Sequence, residues 1–225
     1  MQQKKNRLRS LLTLTAKLAL LSMASQSSSG QGEALCGSLT NAYGPFDYRR
    51  ERTGALQIVE RAHFTPEVEI LQRGKSAALG SDLDYTLRAS PNHHRALIAM
   101  SNYAIREKTD RPPAANYTVD CYFERAVRFQ PDDIVVKLIY VQHLIKTNRR
   151  DEALRWLANA ADLAKDNPFS HYNIGLLYLE AKDLDKALLH ALQSRELGNP
   201  RTDLLERIQA AGKPAAATSA PPARP

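Results

Sequence analysis

The sequence is poor in glycine and lacks the short motifs that mark common catalytic sites. Only 10 of its 225 residues are glycine, whereas alanine, leucine, glutamate, lysine and arginine are plentiful, and this composition favours helix over sheet. It has no glycine-rich phosphate loop, no CxxC pair, no HExxH motif and no serine in a nucleophile elbow. We therefore predict a helical protein that is not an enzyme and that holds no cofactor.

Paired catalytic carboxylates and metal ligands are scarce as well. Glu67 with Glu69 and Asp82 with Asp84 are pairs of acidic residues that stand two positions apart. Residues at that spacing on a helix do not face each other. His93 and His94 are adjacent, but neighbours on a helix point about 100° apart and seldom share one ion. We predict no metal site and interpret them as surface residues at a helix start; the alternative is a site completed by His63 or an acid.

Most of the net charge of +7 is concentrated at the N-terminus. Residues 1–24 carry five lysines and arginines and no acid, which leaves +2 for the rest of the chain. Nucleic-acid binding needs a basic face on the folded part of a protein. We therefore predict that the chain does not bind nucleic acid.

The N-terminus has the pattern of an export signal. A basic start, KKNRLR, precedes the apolar run LLTLTAKLALLSMA, which has small residues at Ser22 and Ala24. The run is too short to span a bilayer comfortably. We predict a signal peptide over 1–24, export to the periplasm and no stable membrane span after cleavage. An amphipathic or disordered N-terminus and an uncleaved anchor are the alternatives.

The chain has two cysteines, so a disulfide within it has one possible pairing, Cys36 with Cys121. In an oxidising compartment the two can form this bond. It would close a loop of about 85 residues and stabilise the fold by about 4 kcal/mol. The alternative is two separate thiols, because a sequence does not show whether the sulfur atoms approach each other.

Polar and low-complexity segments flank one helical domain. Residues 25–63 are interpreted as a Ser/Gly/Gln linker and an irregular lead-in, in which GPFDY breaks helical periodicity. The tail KPAAATSAPPARP, residues 213–225, is predicted to be disordered. The organised helical part is therefore 64–212.

A 34-residue repeat runs through that part of the chain. Four series of residues align at this step: Val119, Ala153 and Ala187; Phe123, Leu157 and Ala191; Ala126, Ala160 and Ser194; Phe129, Leu163 and Leu197. Within each unit they follow one another at helical spacing, which places them on one face of a helix. The sequence thus predicts three copies of one packed helix.

Small residues at fixed positions of the repeat indicate helix pairs that approach closely. Gly175 stands inside one apolar helical run, and Ala187 and Ser194 stand in the next. Antiparallel helices in contact have axes about 8–10 Å apart, and a small residue removes the side chain that would block that approach. Large residues such as Tyr178 then fill the flanks.

This pattern of small and large residues resembles the tetratricopeptide repeat. The unit 168–201 fits best, with Gly175, Tyr178, Ala187 and Ser194 at the expected places. The resemblance implies an all-α fold, a short right-handed solenoid of helix-turn-helix repeats that ends in a capping helix.

The other units depart from the pattern to different degrees. The unit 134–167 carries Ala153 and Ala160 but has Val141 where glycine is expected. The remaining segments are interpreted as a degenerate repeat with a lengthened turn, a cryptic repeat and the C-terminal capping helix, over 94–133, 64–93 and 202–212 respectively.

In tetratricopeptide repeats the first helix of each pair lines a concave face that holds a peptide or a partner helix. The residues that the repeat puts on this face here are Arg95, Asn102, Arg106, Gln142, Lys146, Phe169, Tyr172, Leu176 and Glu180. The resemblance thus implies a groove that is basic at one end and aromatic at the other. For Tyr172 and Leu176, packing on the next repeat is the alternative.

Together these features predict an exported adaptor that binds a peptide or helix of an envelope partner protein in the groove. Two other functions stay open. One is a structural subunit of an envelope assembly. The other is a small-molecule or metal-binding accessory protein, whose site is built against the groove by the N-terminal segment and the 107–118 insertion.

Overall fold

Helices make up all the regular secondary structure of residues 35–51 and 54–212, the part of the chain that this computed structural model describes. The predicted signal peptide, the linker 25–34 and the predicted tail lie outside these residues. Described residues from Leu39 onward belong to one compact unit, and residues 35–38 belong to another. The helices are α1 (Ala55–His63), α2 (Pro66–Glu69), α3 (Leu79–Ala89), α4 (His94–Glu107), α5 (Val119–Phe129), α6 (Ile134–Lys146), α7 (Arg150–Ala164), α8 (Pro168–Glu180), α9 (Leu184–Glu196) and α10 (Asp203–Ala210). The all-α class is as predicted.

Neighbouring helices pack in two ways. From α2 to α10, each helix contacts the next one along the chain, most extensively in the pairs α6–α7 and α8–α9. In addition α2, α4, α6, α8 and α10 contact one another in series. One hydrophobic cluster extends through these contacts from Phe64 to Ile208. The even-numbered helices therefore form a row along one side of the core.

The 34-residue period of the sequence is also a period of the backbone. Helices α6 and α8 start and end 34 residues apart, and α7 and α9 start 34 residues apart. Asn148 and Lys182, which follow α6 and α8, both have φ of 60°. Asp133 and Asn167 cap the same two helices with side-chain oxygens that accept backbone N–H bonds. The two units thus repeat in helix length, in turn geometry and in capping.

Gly175 lies where α8 meets two other helices. A Cβ atom at this position would stand 2.8 Å from Leu204 Cδ2 of α10 and 3.3 Å from the carbonyl oxygen of Ala187 on α9. The glycine therefore permits the close approach of α8 and α9 that the sequence indicates. It also makes room for α10, the expected capping helix.

The other predicted repeat positions lie in the interior. Ala126, Ala153 and Ala160 are fully buried, and Tyr178 is nearly so. Ser194 is buried too, and its hydroxyl donates a 2.7 Å hydrogen bond to the carbonyl oxygen of Pro168. Ser194 thus faces α8, the first helix of its pair.

The structure differs from the expected irregular lead-in over its last residues, because Ala55–His63 form a helix. Leu56 and Val59 stand three residues apart and are buried, so this helix has a short apolar face that packs on α3. The expected cryptic repeat consists of the single turn α2 followed by α3. The expected capping helix is present as α10 and contacts both α8 and α9.

The lengthened turn between α4 and α5 is folded onto α3. The carbonyl of Pro113 occupies the space that a Cβ atom on Gly80 would need. Asn116 Nδ2 and the Tyr122 hydroxyl donate to the buried carboxylate of Asp84, at 2.7 and 2.6 Å. The insertion is therefore held in place by a tight backbone contact and by the hydrogen bond from Asn116 to the buried acid, to which Tyr122 of α5 also donates.

A buried polar network joins residues 39–51 to the turns before α4 and α6. Asn92, fully buried, donates from Nδ2 to Asp47 at 2.7 Å and to Asp133 at 3.0 Å. Its Oδ1 accepts a 3.0 Å bond from the backbone N–H of Tyr48. Burial raises the pKa of Asp47, but hydrogen bonds from Arg49 and Asn92 outweigh this and hold it at about 2. The network ties three chain segments together.

The adjacent histidines belong to this interior, so their interpretation as surface residues was wrong. His93 is fully buried and caps α4, its Nδ1 accepting from the backbone N–H of Ala96. Its Nε2 lies 3.0 Å from a carboxylate oxygen of Glu60. His94 Nε2 lies 2.9 Å from Asp133. The two histidines at the start of α4 are directed inward because carboxylates from other segments lie within hydrogen-bond distance there.

Candidate functional site

Two clefts flank helix α6. The first, the α6–α8 cleft, has a volume of about 260 Å³ and is lined by Val135, Leu138, Ile139, Gln142, Asn173, Leu176, Leu177 and Glu180. The second, the α4–α6 cleft, has a volume of about 390 Å³ and is lined by Ala104, Ile105, Lys108, Thr109, Asp110, Val119, Asp120, His143, Lys146, Thr147 and Arg149. Each cleft lies between two neighbouring helices of the even-numbered row.

The α6–α8 cleft is built by one stripe on each helix. The α6 residues recur three, four and seven positions after Val135, and the α8 residues three, four and seven positions after Asn173. Residues at this spacing share a face of a helix. Five of the eight side chains are apolar, and Val135 remains 41% exposed. The cleft therefore combines an apolar floor with a rim of Gln142, Asn173 and Glu180.

Three of the predicted groove residues line this cleft, namely Gln142, Leu176 and Glu180. Glu180 is the one ionisable side chain among the eight. The cleft is thus acidic at one end, a property that the list of predicted groove residues did not single out.

The predicted basic end of the groove is largely neutralised. Arg95 donates to both carboxylate oxygens of Glu69, and its guanidinium lies 5.5 Å from the ring centroid of Phe64. Arg106 donates a 2.6 Å bond to the carbonyl oxygen of Leu71 and pairs with the neighbouring Glu107. Sequence reasoning missed this because the acids come from outside the repeat positions. Asn102 lies exposed on α4, between these arginines in sequence.

The predicted aromatic end is divided between surface and interior. Phe169 is 63% exposed at the start of α8. Tyr172 is buried against the capping helix: its hydroxyl donates a 2.6 Å bond to Asp203, and the Arg201 guanidinium lies 4.2 Å from its ring centroid. Burial, together with Asp203, raises the pKa of Tyr172. Of the two alternatives, packing therefore applies to Tyr172, whereas Leu176 lines the cleft.

The α4–α6 cleft gathers side chains that the repeat does not bring together. Lys146, a predicted groove residue, lies in its lining with His143 from the same helix. His143 is 5% exposed, its Nδ1 lies 2.8 Å from the Ser101 hydroxyl, and burial lowers its pKa. Arg149 is held between Asp120, at 2.8 Å, and Glu152, at 2.6 Å. The signal that could have located this cleft is the insertion, which supplies one wall.

Other properties of the described residues bear on function. Within 35–51 and 54–212, no three His, Cys, Asp or Glu side chains come together as metal ligands would, and no helix is both long and apolar enough to cross a membrane. Cys36 and Cys121 are both disulfide-bonded. Peptide mapping without reduction would check the oxidised state of each cysteine in the isolated protein.

Comparison of the chain with protein-family models, with curated proteins and with solved structures gave no match.

Proposed function

We propose that the chain is an exported adaptor of tetratricopeptide-like architecture, which binds a segment of a partner protein in the α6–α8 cleft. The observation that carries the proposal is the cleft itself. Two parallel stripes of side chains, one on α6 and one on α8, leave an apolar floor open to solvent between helices that are otherwise well packed. Exposed apolar grooves of this kind are typical docking places for peptides and helices.

Two features support a short right-handed solenoid. The units 134–167 and 168–201 repeat in helix length, turn geometry and capping. The even-numbered helices also contact one another in series, as the inner helices of stacked pairs do. Such stacking makes the row of first helices the natural binding face.

The chemistry of the cleft favours a partner segment with apolar side chains beside a basic or amide group. Leucines and isoleucine supply the floor, whereas Gln142 and Asn173 offer hydrogen bonds, and Glu180 offers a negative charge. A lysine or arginine on the partner next to a leucine-like residue would satisfy both parts. The ion pair between Glu180 and this basic residue would contribute little affinity by itself, because it would lie on the exposed rim. Its main effect would be on specificity and orientation.

The floor is preorganised, which lowers the entropy cost of docking. Ile139 and Leu177 are more than nine-tenths buried, so their rotamers are set by the core before a ligand arrives. Phe169 extends from the start of α8 and is available to cover a bound segment.

Export rests on the N-terminal pattern and is supported by the oxidised state of both cysteines, since disulfides persist in exported proteins. The expected mature chain lacks residues 1–24. Intact-mass measurement on protein made with a secretion pathway tests this, and a mass that includes residues 1–24 would contradict export by cleavage.

Site-specific photo-crosslinking tests the binding proposal. A photoreactive amino acid is placed at Asn173 in the cleft, or at Arg155, an exposed position on α7 that serves as the matched control. In cells that naturally express the chain we expect a discrete crosslinked product from Asn173 and none from Arg155. Leu176→Lys, which puts a charge on the apolar floor, should abolish the product without lowering the melting temperature much.

Two outcomes would contradict the proposal. Products from Arg155 that match those from Asn173 would mean non-specific capture. A product that survives both Leu176→Lys and Glu180→Lys would mean that the cleft is not the binding surface. If the protein in that product also stays bound in a fixed ratio during gel filtration, we would conclude that the chain is a structural subunit and not an adaptor.

A further inference from the structure

The α4–α6 cleft has the features of a small-molecule site, and we propose that it binds an organic acid with one carboxylate and an apolar body. This inference does not rest on the adaptor function, because it concerns different side chains. The two clefts share helix α6 but have no lining residue in common.

The insertion provides a fixed wall for this cleft. Lys108 takes a left-handed conformation, with φ of 53°, directly after α4. The backbone N–H of Thr109 then bonds to the carbonyl of Ala104 at 3.1 Å, and that of Val119 bonds to the carbonyl of Asp110 at 2.8 Å. The far side of the insertion is anchored on α3 through the hydrogen bond from Asn116 to Asp84, so this wall is held on both sides.

The size of the cleft suits a small molecule. Its volume of about 390 Å³ lies near the lower end of the roughly 300–1,000 Å³ seen for ligand clefts. Ala104, Ile105 and Val119 form an apolar portion, and polar side chains surround it. A ligand of matching character has an apolar body with a polar group at one end.

The charge of the lining points to an anion. Lys108 and Lys146 enter the cleft from the ends of α4 and α6, and in the described part of the chain neither forms an ion pair. Arg149 is already held by two carboxylates, and Asp120 is one of them. The lining as a whole thus carries three cationic side chains against the carboxylates of Asp110 and Asp120, and the two lysines remain for a ligand. A carboxylate on the ligand can accept charge-assisted hydrogen bonds from both.

His143 offers one more polar contact from the interior. Its Nδ1 is engaged by the Ser101 hydroxyl, so Nε2 is the ring nitrogen left for a ligand. Burial lowers the pKa of His143, which keeps the imidazole neutral near pH 7. In the tautomer in which the Ser101 hydroxyl donates to Nδ1, Nε2 carries the proton and can donate to a carboxylate oxygen.

Calorimetric titration of the full chain tests the proposal. The probes are hexanoate and 4-phenylbutyrate at millimolar concentration, with hexanamide and 4-phenylbutyramide as uncharged counterparts. We expect saturable binding of at least one acid and much weaker binding of its amide. Chemical-shift changes of His143 in ¹⁵N-histidine-labelled protein give a second readout that reports the site directly.

Lysine variants locate the binding, and the chain offers a matched control. Lys182 has the same left-handed conformation after α8 that Lys108 has after α4, it is exposed, and it lines neither cleft. Lys108→Gln with Lys146→Gln should weaken acid binding about tenfold, the loss expected for a charged hydrogen bond. Lys146→Gln alone should have a smaller effect, and Lys182→Gln should have none.

Several results would overturn the inference. Failure of both acids to saturate, equal binding of acid and amide, or an equal loss in Lys182→Gln each contradicts an anion site in this cleft. The peptide acetyl-Gly-Gly-Phe with a free carboxylate is the remaining probe. If it binds more tightly than both acids, and its amide does not, the cleft recognises a chain end and not a free organic acid.

Discussion

Residues 39–133 and residues 134–212 of this chain pack helices in different ways. In the C-terminal region, small residues such as Gly175 and Ala187 let apolar helices touch at a repeated position. In the N-terminal region, the helix turns are joined by the buried hydrogen-bond network around Asn92, and an insertion is fixed to the buried Asp84.

The difference teaches how each region depends on its neighbours. Both C-terminal pairs bury an alanine at the same place on the second helix, Ala153 and Ala187, although Val141 stands where the second pair has Gly175, so most of the packing pattern is repeated from one pair to the next. The N-terminal network uses Asp47, Asn92 and Asp133, which are about forty residues apart in sequence. Such a network stabilises only when all its members are present. The first region should therefore be sensitive to volume, and the second to loss of a polar partner.

The largest expected effect is that of added volume in the C-terminal region. Gly175→Leu places atoms against Leu204 and the carbonyl of Ala187, so α8 must move away from α9 and α10. We expect the free energy of unfolding to fall by about 3 kcal/mol. Urea denaturation measures it. Gly175→Ala is the milder control, and an unchanged midpoint in the leucine variant would refute the tight contact.

Loss of a partner in the N-terminal region should come next. Asn92→Ala leaves two buried carboxylates without their amide donor and the N–H of Tyr48 without an acceptor. We expect a loss of about 2.5 kcal/mol. Asn102→Ala, at an exposed position on α4, is the control and should change stability little. If both alanine variants melt alike, the network contributes nothing to stability.

The pH at which each region loses stability sharpens the comparison. Burial, then His171 and Lys186, lowers the pKa of His190 to about 4. Its Nδ1 lies 2.9 Å from that of His171, and its ring stacks on Tyr178. The unfolded state takes up this proton near pH 6.5, so the stabilisation is complete above that pH and is lost as pH falls towards 4. At pH 5 the loss should be about 2 kcal/mol.

His190→Asn keeps a donor for His171 without titrating in this range. Chemical denaturation between pH 7 and pH 4 should therefore give a shallower fall for the variant than for the original chain. Asp47 behaves differently, since its pKa is lowered from 3.8 to about 2, and its contribution is lost only as pH falls from about 4 to about 2. Identical pH profiles for variant and original chain would rule out the histidine effect.

The smallest expected effect concerns the surface ion pair of the N-terminal region. Arg95 pairs with Glu69 but its side chain is half exposed, and such pairs contribute little. Arg95→Gln should therefore lower the free energy of unfolding by less than about 0.5 kcal/mol. A loss comparable to that of Asn92→Ala would show that this pair, too, belongs to the stabilising network.

The repeat could be predicted from the sequence because it depends on residues that are close together in the chain. The 34-residue period predicted which small residues would be buried, and Asn148 and Lys182 take the same turn conformation at that period. The residues of the groove could be predicted only in part. Gln142, Leu176 and Glu180 line a cleft as the repeat register implies, whereas Tyr172 serves the capping helix because Arg201 and Asp203 follow the last repeat.

By itself the sequence determined the helical class and the period, because composition and spacing act within one helix or between neighbours in the chain. Tertiary structure alone decided which charges stay available. Arg95 meets Glu69, His93 meets Glu60, and Lys108 and Lys146 come to line the same α4–α6 cleft. These partners are 26 to 38 residues apart, and the energy of a charge depends on what folding brings next to it and on how much water remains there.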